Sequence, residues 1–403
     1  TSVTHKLSSS VFESFSTDYV INATGDFTLT IYNAIGSDEK GTADVFIADV
    51  KFIKTSDART ELDTAITAWV TDSIAATATY GHISNWNVSN VTNMEELFKD
   101  KSSFNENIGG WDVSNVTDMA AIFQNASSFN QDISGWNVSN VTRMTNMFRN
   151  TPFNQNISSW VVSSVTGMAS MFRDSSFNQP LNNWDVSNVI EMHYMFWNAQ
   201  SFNQSLNDWN VSSVTNMTSM FQSATTFNED ISGWNTSNVT TMKYMFHTAS
   251  AFNNDLNSWN VSQVTDMNSL FKTHEDFNED ISNWNVSNVQ NMEDMFCNAI
   301  SFNQPLNNWD VSNVTSMKYM FNGAKSFNQD IKSWNTLPNI IYDNFANGSP
   351  LCNNKCNLPK YLNNVTACKG IFPTPLKSDT IKKAVKSYKS CDYNKGYGNI
   401  EAW

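Results

Sequence analysis

The chain of 403 residues has a formal net charge of −14, is 40% hydrophobic and is only 15% charged. That balance excludes the concentrated basic face that nucleic-acid phosphates demand, and no run of 18 apolar residues offers a membrane span. The charge is uneven: residues 353–403 hold nine Lys against Asp379, Asp392 and Glu401, a balance of +6, which leaves −20 on the rest.

In chain order, Thr-Ser-Val-Thr without an initiator Met reads as a processed mature end. Strand-like stretches follow at Tyr19 to Asn22, Phe27 to Tyr32 and Asp44 to Ile53. Gly25 and the Gly36 to Gly41 segment divide them, so a small β-rich module is expected over residues 1–58. Thr60 to Ala78 reads as a helix that caps what comes next.

What comes next is a repeat. Trp86, Trp111, Trp136, Trp160, Trp184, Trp209, Trp234, Trp259, Trp284, Trp309 and Trp334 recur every 24 or 25 residues. One unit reads Ile133-x-x-Trp136-x-Val138-x-x-Val141, then Met144-x-x-Met147-Phe148. Trp and Val two apart suit one side of a short strand. Met119, Ile122, Phe123 and Ala126 form an i, i+3, i+4, i+7 stripe, which predicts a short helix. Thr92, Thr117, Thr142, Thr166, Thr215, Thr265 and Thr315, two residues before the Met, are placed as its N-cap. All seventeen methionines occupy the two Met columns and serve as core filler.

A unit this small buries nothing alone and must stack on its neighbours. The expected fold is therefore an α/β solenoid, a curved leucine-rich-repeat-like array of about eleven strand–short-helix coils over residues 59–345. A β-helix without helices is the alternative. Phe-Asn pairs open each return turn, at Asn105, Asn130, Asn154, Asn178, Asn203, Asn228, Asn253, Asn278, Asn303 and Asn328. Stacked amides are expected to act as a structural ladder that satisfies turn backbone. Two turns, Phe148 to Phe153 and Phe172 to Phe177, are one residue shorter than the rest.

Residues 346–403 form a Cys- and Lys-rich end. Cys352, Cys356, Cys368 and Cys391 lack the close pairs of a zinc site. Two disulfides stapling a C-terminal cap fit better and imply an oxidising compartment. Cys297 stands alone inside the repeats.

The unit F-N-Q-D-I-S-x-W-N-V-S-N-V-T-x-M-x-x-M-F-x-x-A, from about Leu62 to Phe345, resembles the repeat of the BspA-like leucine-rich-repeat surface proteins, known also from Mycoplasma lipoproteins. The resemblance implies an exported, non-enzymatic surface protein, in some relatives associated with adhesion to host proteins.

No catalytic constellation is visible. His5, His82, His193, His247 and His274 share no metal spacing, and no phosphate loop or nucleophile elbow occurs. Acidic rows such as Asp132, Asp230, Asp255, Asp280 and Asp330 could hold Ca²⁺, but a solvated stripe is the simpler account; no other cofactor is implied. The outward position of the expected strand supplies the candidate binding face: Asn87, Asp112, Asn137, Asp185, Asn210, Asn235, Asn260, Asn285 and Asp310, with Val161 and Asn335. Sequons stack within the repeat at Asn90, Asn115, Asn140, Asn238 and Asn313, whereas Asn22, Asn347 and Asn364 are the better glycan acceptors. The sequence thus predicts an extracellular or cell-surface protein, not an enzyme, whose partner is an extracellular protein or glycan. Self-assembly into a filament or coat, through the basic end and the N-terminal strands, is the alternative; binding of ice or a crystalline polysaccharide is a weaker third.

Overall fold

The computed structural model describes residues 58–353, 357–359 and 362, and the backbone of four two-residue strands before them. The chain divides into two compact units, Thr1–His82 and Ile83–Trp403.

In the first unit, β1 (Tyr19–Val20) pairs antiparallel with β2 (Thr28–Leu29), and β3 (Gly36–Ser37) with β4 (Ala43–Asp44). The rest of the expected β module lies outside the described residues. The expected Thr60 to Ala78 helix is two helices, α1 (Ala58–Thr71) and α2 (Ser73–Tyr80). Leu62, Ala65, Ile66 and Trp69 are the buried stripe of α1. The break falls at Asp72, whose carboxylate accepts from the N–H groups of Ile74 and Ala75 and so caps α2. Gly81, at φ +74°, ends α2 by donating its N–H to the Thr77 carbonyl.

The second unit is a stack of coils, but the strand–helix reading of each coil is overturned. Between Trp86 and Ser349 no residue lies in an α-helix or a strand. Ten isolated parallel bridges run Asn93–Asp118–Arg143–Gly167–Glu191–Asn216–Thr241–Asp266–Asn291–Ser316–Ile341, one rung per coil. This lies closer to the helix-free alternative, with strands reduced to single residues. The bridge sits just before the first Met column, not at Trp-x-Val.

The backbone from Met119 to Ala126 explains the error. Ile122, Gln124 and Ala126 donate to carbonyls three residues back, at Met119, Ala121 and Phe123. The intervening N–H groups of Met119, Ala121, Phe123 and Asn125 donate instead to Arg143, Thr145, Met147 and Arg149 of the next coil. Ala121 and Asn125 have φ of +53° and +60°, and the same two positions are left-handed in every coil. A left-handed residue cannot sit inside an α-helix, whereas a positive φ at the third position of an i→i+3 turn is the type II signature. Successive tight turns bring every third or fourth side chain inward, as a helix would. The Met-x-x-Met-Phe stripe is therefore buried without a helix.

The Thr column is likewise not a cap. Thr117, Thr142, Thr240 and Thr315 donate both N–H and hydroxyl to the carbonyl of the equivalent residue one coil earlier.

Apolar side chains stack by column. Phe123 lies 5.9 Å from Phe148 with an interplanar angle of 8°, and within its own coil 3.8 Å from Phe129. The Trp rings stack too, Trp160 on Trp184 at 6.5 Å and 4°. Each indole N–H from Trp111 to Trp334 donates to the Ile or Leu carbonyl that opens the preceding coil, as Trp209 does to Leu181 at 2.9 Å. Most of these carbonyls also accept the N–H of the Trp three residues on, as Leu181 does from Trp184, so the core indole adds a second bond across the coils. In the two shortened turns, Thr151 and Ser175 replace Ala. Their hydroxyls donate to Phe148 and Phe172 and accept from Phe153 and Phe177.

At the far end, Pro350–Asn353 is one turn of 3₁₀ helix containing Cys352. Cys356, Cys368 and Cys391 lie outside the described residues, and no disulfide joins two described residues. Cys352 is disulfide-bonded, to a cysteine outside the described residues, and the remainder of the expected cap lies outside them too.

Replacing Trp209 with Phe removes the indole bond to the Leu181 carbonyl, which keeps only the Trp184 N–H, and leaves space where the larger ring stacked; it is expected to cost about 1–3 kcal/mol in urea unfolding. Conversely, Thr273 is β-branched at φ +54°. Thr273→Asn is expected to raise stability by about 1 kcal/mol, read as an upward shift of the urea midpoint.

Candidate functional site

The outward column places Asn87, Asp112, Asn137, Asp185, Asn210, Asn235, Asn260, Asn285 and Asp310 in line on the surface, one per coil, all exposed. They do not stand on a strand. Each side-chain oxygen accepts the N–H of the Ser two residues later, at 3.0–3.2 Å, forming an Asx turn before the Val-x-x-Val corner. The Ser114, Ser187 and Ser312 hydroxyls, then their backbone N–H groups, hold Asp112, Asp185 and Asp310 below the usual carboxylate range. The column is therefore a row of amides and permanent carboxylates.

A second corner repeats this chemistry. Asp132, Asp230, Asp255, Asp280 and Asp330 each accept from the N–H two residues on. The expected solvated stripe and the expected binding column thus share one local device, the Asx turn, for which the signal is Asn or Asp followed two places later, in most coils, by Ser. Among the described residues, no three His, Cys, Asp or Glu side chains converge to hold a metal ion.

The Phe-Asn amides form a ladder. The N–H of Asn130 donates to the Asn105 side chain at 2.9 Å, and the same bond joins Asn154 to Asn130, Asn178 to Asn154, Asn203 to Asn178, Asn228 to Asn203 and Asn253 to Asn228. It resumes from Asn278 to Asn303 and Asn303 to Asn328.

The rung between Asn253 and Asn278 is missing, and His274 stands in the coil where the ladder breaks. It occupies the column held by Ala249 before it and Ala299 after it, is fully buried, and neither ring nitrogen has a hydrogen-bond partner among the described residues. Burial drives its pKa down to about 4. Asp276 of its own coil is the charged group acting on it, and the rings of Phe271 and Phe277 lie 6.4 and 5.4 Å away. His247 is also held below its usual value, by burial and then Lys272. Sequence reading dismissed His274 because it shares no spacing with the other histidines; the available signal was His in an Ala column.

The remaining sequence-predicted residues are placed as follows. Cys297 is buried and free, and burial together with Asp294 pushes its thiol up to about 11, so it is no nucleophile at neutral pH. Asn347 is half-buried in the last turn, while Asn22 and Asn364 lie outside the described residues. The amide nitrogens of Asn115, Asn140, Asn238 and Asn313 donate to Ser carbonyls one coil earlier, at 2.7–2.8 Å. In the first unit, a shallow groove of about 470 Å³ between α1 and α2 is lined by Thr, Ala, Tyr80 and Asp72, whose carboxylate is occupied as the α2 cap.

Two tests follow from this geometry. Unfolded His274 takes up a proton near pH 6.5 and the folded form only near pH 4. Stability is therefore complete above about pH 6.5 and falls by roughly 3 kcal/mol as pH drops toward 4. Thermal melts between pH 7 and 4.5 should show a steeper loss for the wild type than for His274→Ala. In a glycosylating host, mass spectrometry of tryptic glycopeptides should find Asn115, Asn140, Asn238 and Asn313 unmodified, because each amide nitrogen is held 2.7–2.8 Å from a carbonyl of the preceding coil, where a sugar on that nitrogen would crowd the stack.

Among the described residues, no helix is long and apolar enough to cross a membrane. No curated protein matches the chain. The profile described as "Mycoplasma protein of unknown function, DUF285" matches three times in tandem, over residues 67–181, 167–273 and 253–357. These overlapping matches cover the stacked coils and more than half of the sequence, and the chain belongs to that DUF285 repeat family.

Proposed function

We propose that the chain is a non-catalytic extracellular or surface-displayed protein that recognises a protein or glycan through the outer face of its coils, as the resemblance to BspA-like surface proteins implies. The observation that carries this reading is the division of labour within the coil. The aromatic, Met and Phe-Asn columns are committed to stacking. The exposed columns present rows of amides, hydroxyls and ionised carboxylates at the spacing of the coils. Such a surface suits multivalent polar contact with an extended partner. The carboxylates of these columns lie at repeat spacing.

The charge division, +6 in residues 353–403 against −20 before them, favours a second reading, self-assembly of copies into an extracellular filament or coat.

The experiment is a binding panel on the full chain, with immobilised matrix proteins and a glycan array, alongside light scattering at 20 and 300 mM salt and antibody labelling of intact source cells. Saturable binding by surface-labelled protein is expected. Growth of large particles at low salt without ligand binding would replace the first reading by the second. Intracellular location, or turnover of a panel ligand, would overturn both.

A further inference from the structure

We propose that Arg149, Arg173 and Trp197 form a binding site for the sulfate or carboxylate groups of an acidic saccharide. This rests on the surface-recognition reading and names its ligand chemistry. Three of the four arginines in the chain fall in two successive coils, at 143, 149 and 173. Arg149, Arg173 and Trp197 are consecutive rungs of one column, since the N–H of Asn150 donates to the Arg173 carbonyl and that of Asp174 to the Trp197 carbonyl, both at 2.8 Å.

The guanidinium of Arg173 lies flat over Trp197, 3.7 Å from the ring centre, with Tyr194 at 6.0 Å. Its Nε donates to Asp174 at 3.2 Å. Stacking and that bond fix the fork, and the terminal nitrogens have no acceptor among the described residues. Arg149, one rung earlier, has neither ion pair nor side-chain hydrogen bond there. Within the same column Lys99 is matched to Glu96 and Lys272 to Asp294, and Arg143 of the bridge column to Asp118 and Glu95.

Two half-buried guanidiniums held side by side repel each other, and burial and Arg149 both disfavour the charge on Arg173. An oxyanion between the two forks would relieve that repulsion through charge-assisted, bidentate hydrogen bonds. Tyr194 and Trp197, half-buried and 5.3 Å apart, add apolar ring surface beside the fork for the C–H groups of a sugar. Those rings favour a saccharide over a purely acidic peptide.

The test measures binding of the full chain to heparin and to polygalacturonate, with neutral dextran as control, for wild type, Arg149→Gln, Arg173→Gln and Arg143→Gln. Saturable binding to at least one acidic polymer and none to dextran is expected. The Arg149 and Arg173 variants should lose about tenfold or more in affinity at unchanged melting temperature, with a shallower salt dependence, while Arg143→Gln should bind as wild type. Equal loss in all three variants, or none in Arg149→Gln, would overturn the site while leaving surface recognition standing. So would association of copies at low salt that Arg149→Gln abolishes, which would make the patch a contact with a second chain. Failure to bind any member of the wider protein and glycan panel would instead remove the recognition reading itself.

Discussion

The stack depends on one constraint: a backbone that turns too tightly for helix or strand must place half its N–H groups on the next coil. Left-handed residues at two positions per coil create that geometry, as Ala121 and Asn125 do. Between them, N–H groups alternate between closing a turn and crossing to a neighbour. No coil satisfies its own polar backbone, so stability is a property of neighbouring pairs. The conspicuous side chains follow from the same need. Indoles, Phe-Asn amides, Thr hydroxyls and Asn amides each reach a backbone group across the interface between coils.

The second consequence concerns which positions can vary. Column identity is enforced where a side chain meets both neighbours, as with Phe123 between Phe98 and Phe148. It relaxes on the outer turn, where the column of Arg149, Arg173 and Trp197 also holds Gln124, Gln222 and His247. Recognition chemistry can enter there without disturbing the stack. His274 is the exception that entered an inner column. It leaves an imidazole without hydrogen-bond partners among the described residues in the core.

Family membership is consistent with this division of roles. The DUF285 profile covers the coils in three overlapping matches. What recurs in it is architecture, so the match speaks to how the chain stacks and not to what it touches.

The sequence by itself determined the period, the units, and which residues face inward. Trp136, Val138, Met144, Met147 and Phe148 were read as core and are buried. It also made the Phe-Asn amides legible as a stacked set. It did not determine the path of the backbone, because an i, i+3, i+4, i+7 stripe is produced equally by a helix and by consecutive three-residue turns. Nor does Trp-x-Val separate a strand from the corner between two Asx turns. A local hint existed: the position two after the Phe of the Met-Phe pair is Asp100, Asn125, Asn150, Asp174 or Asn198 in successive coils, residues that tolerate positive φ. Only the tertiary structure decided between turn and helix, because the deciding hydrogen bonds join residues about 25 apart. The same distance hid the Arg149, Arg173 and Trp197 cluster, whose members are neighbours only across the stack.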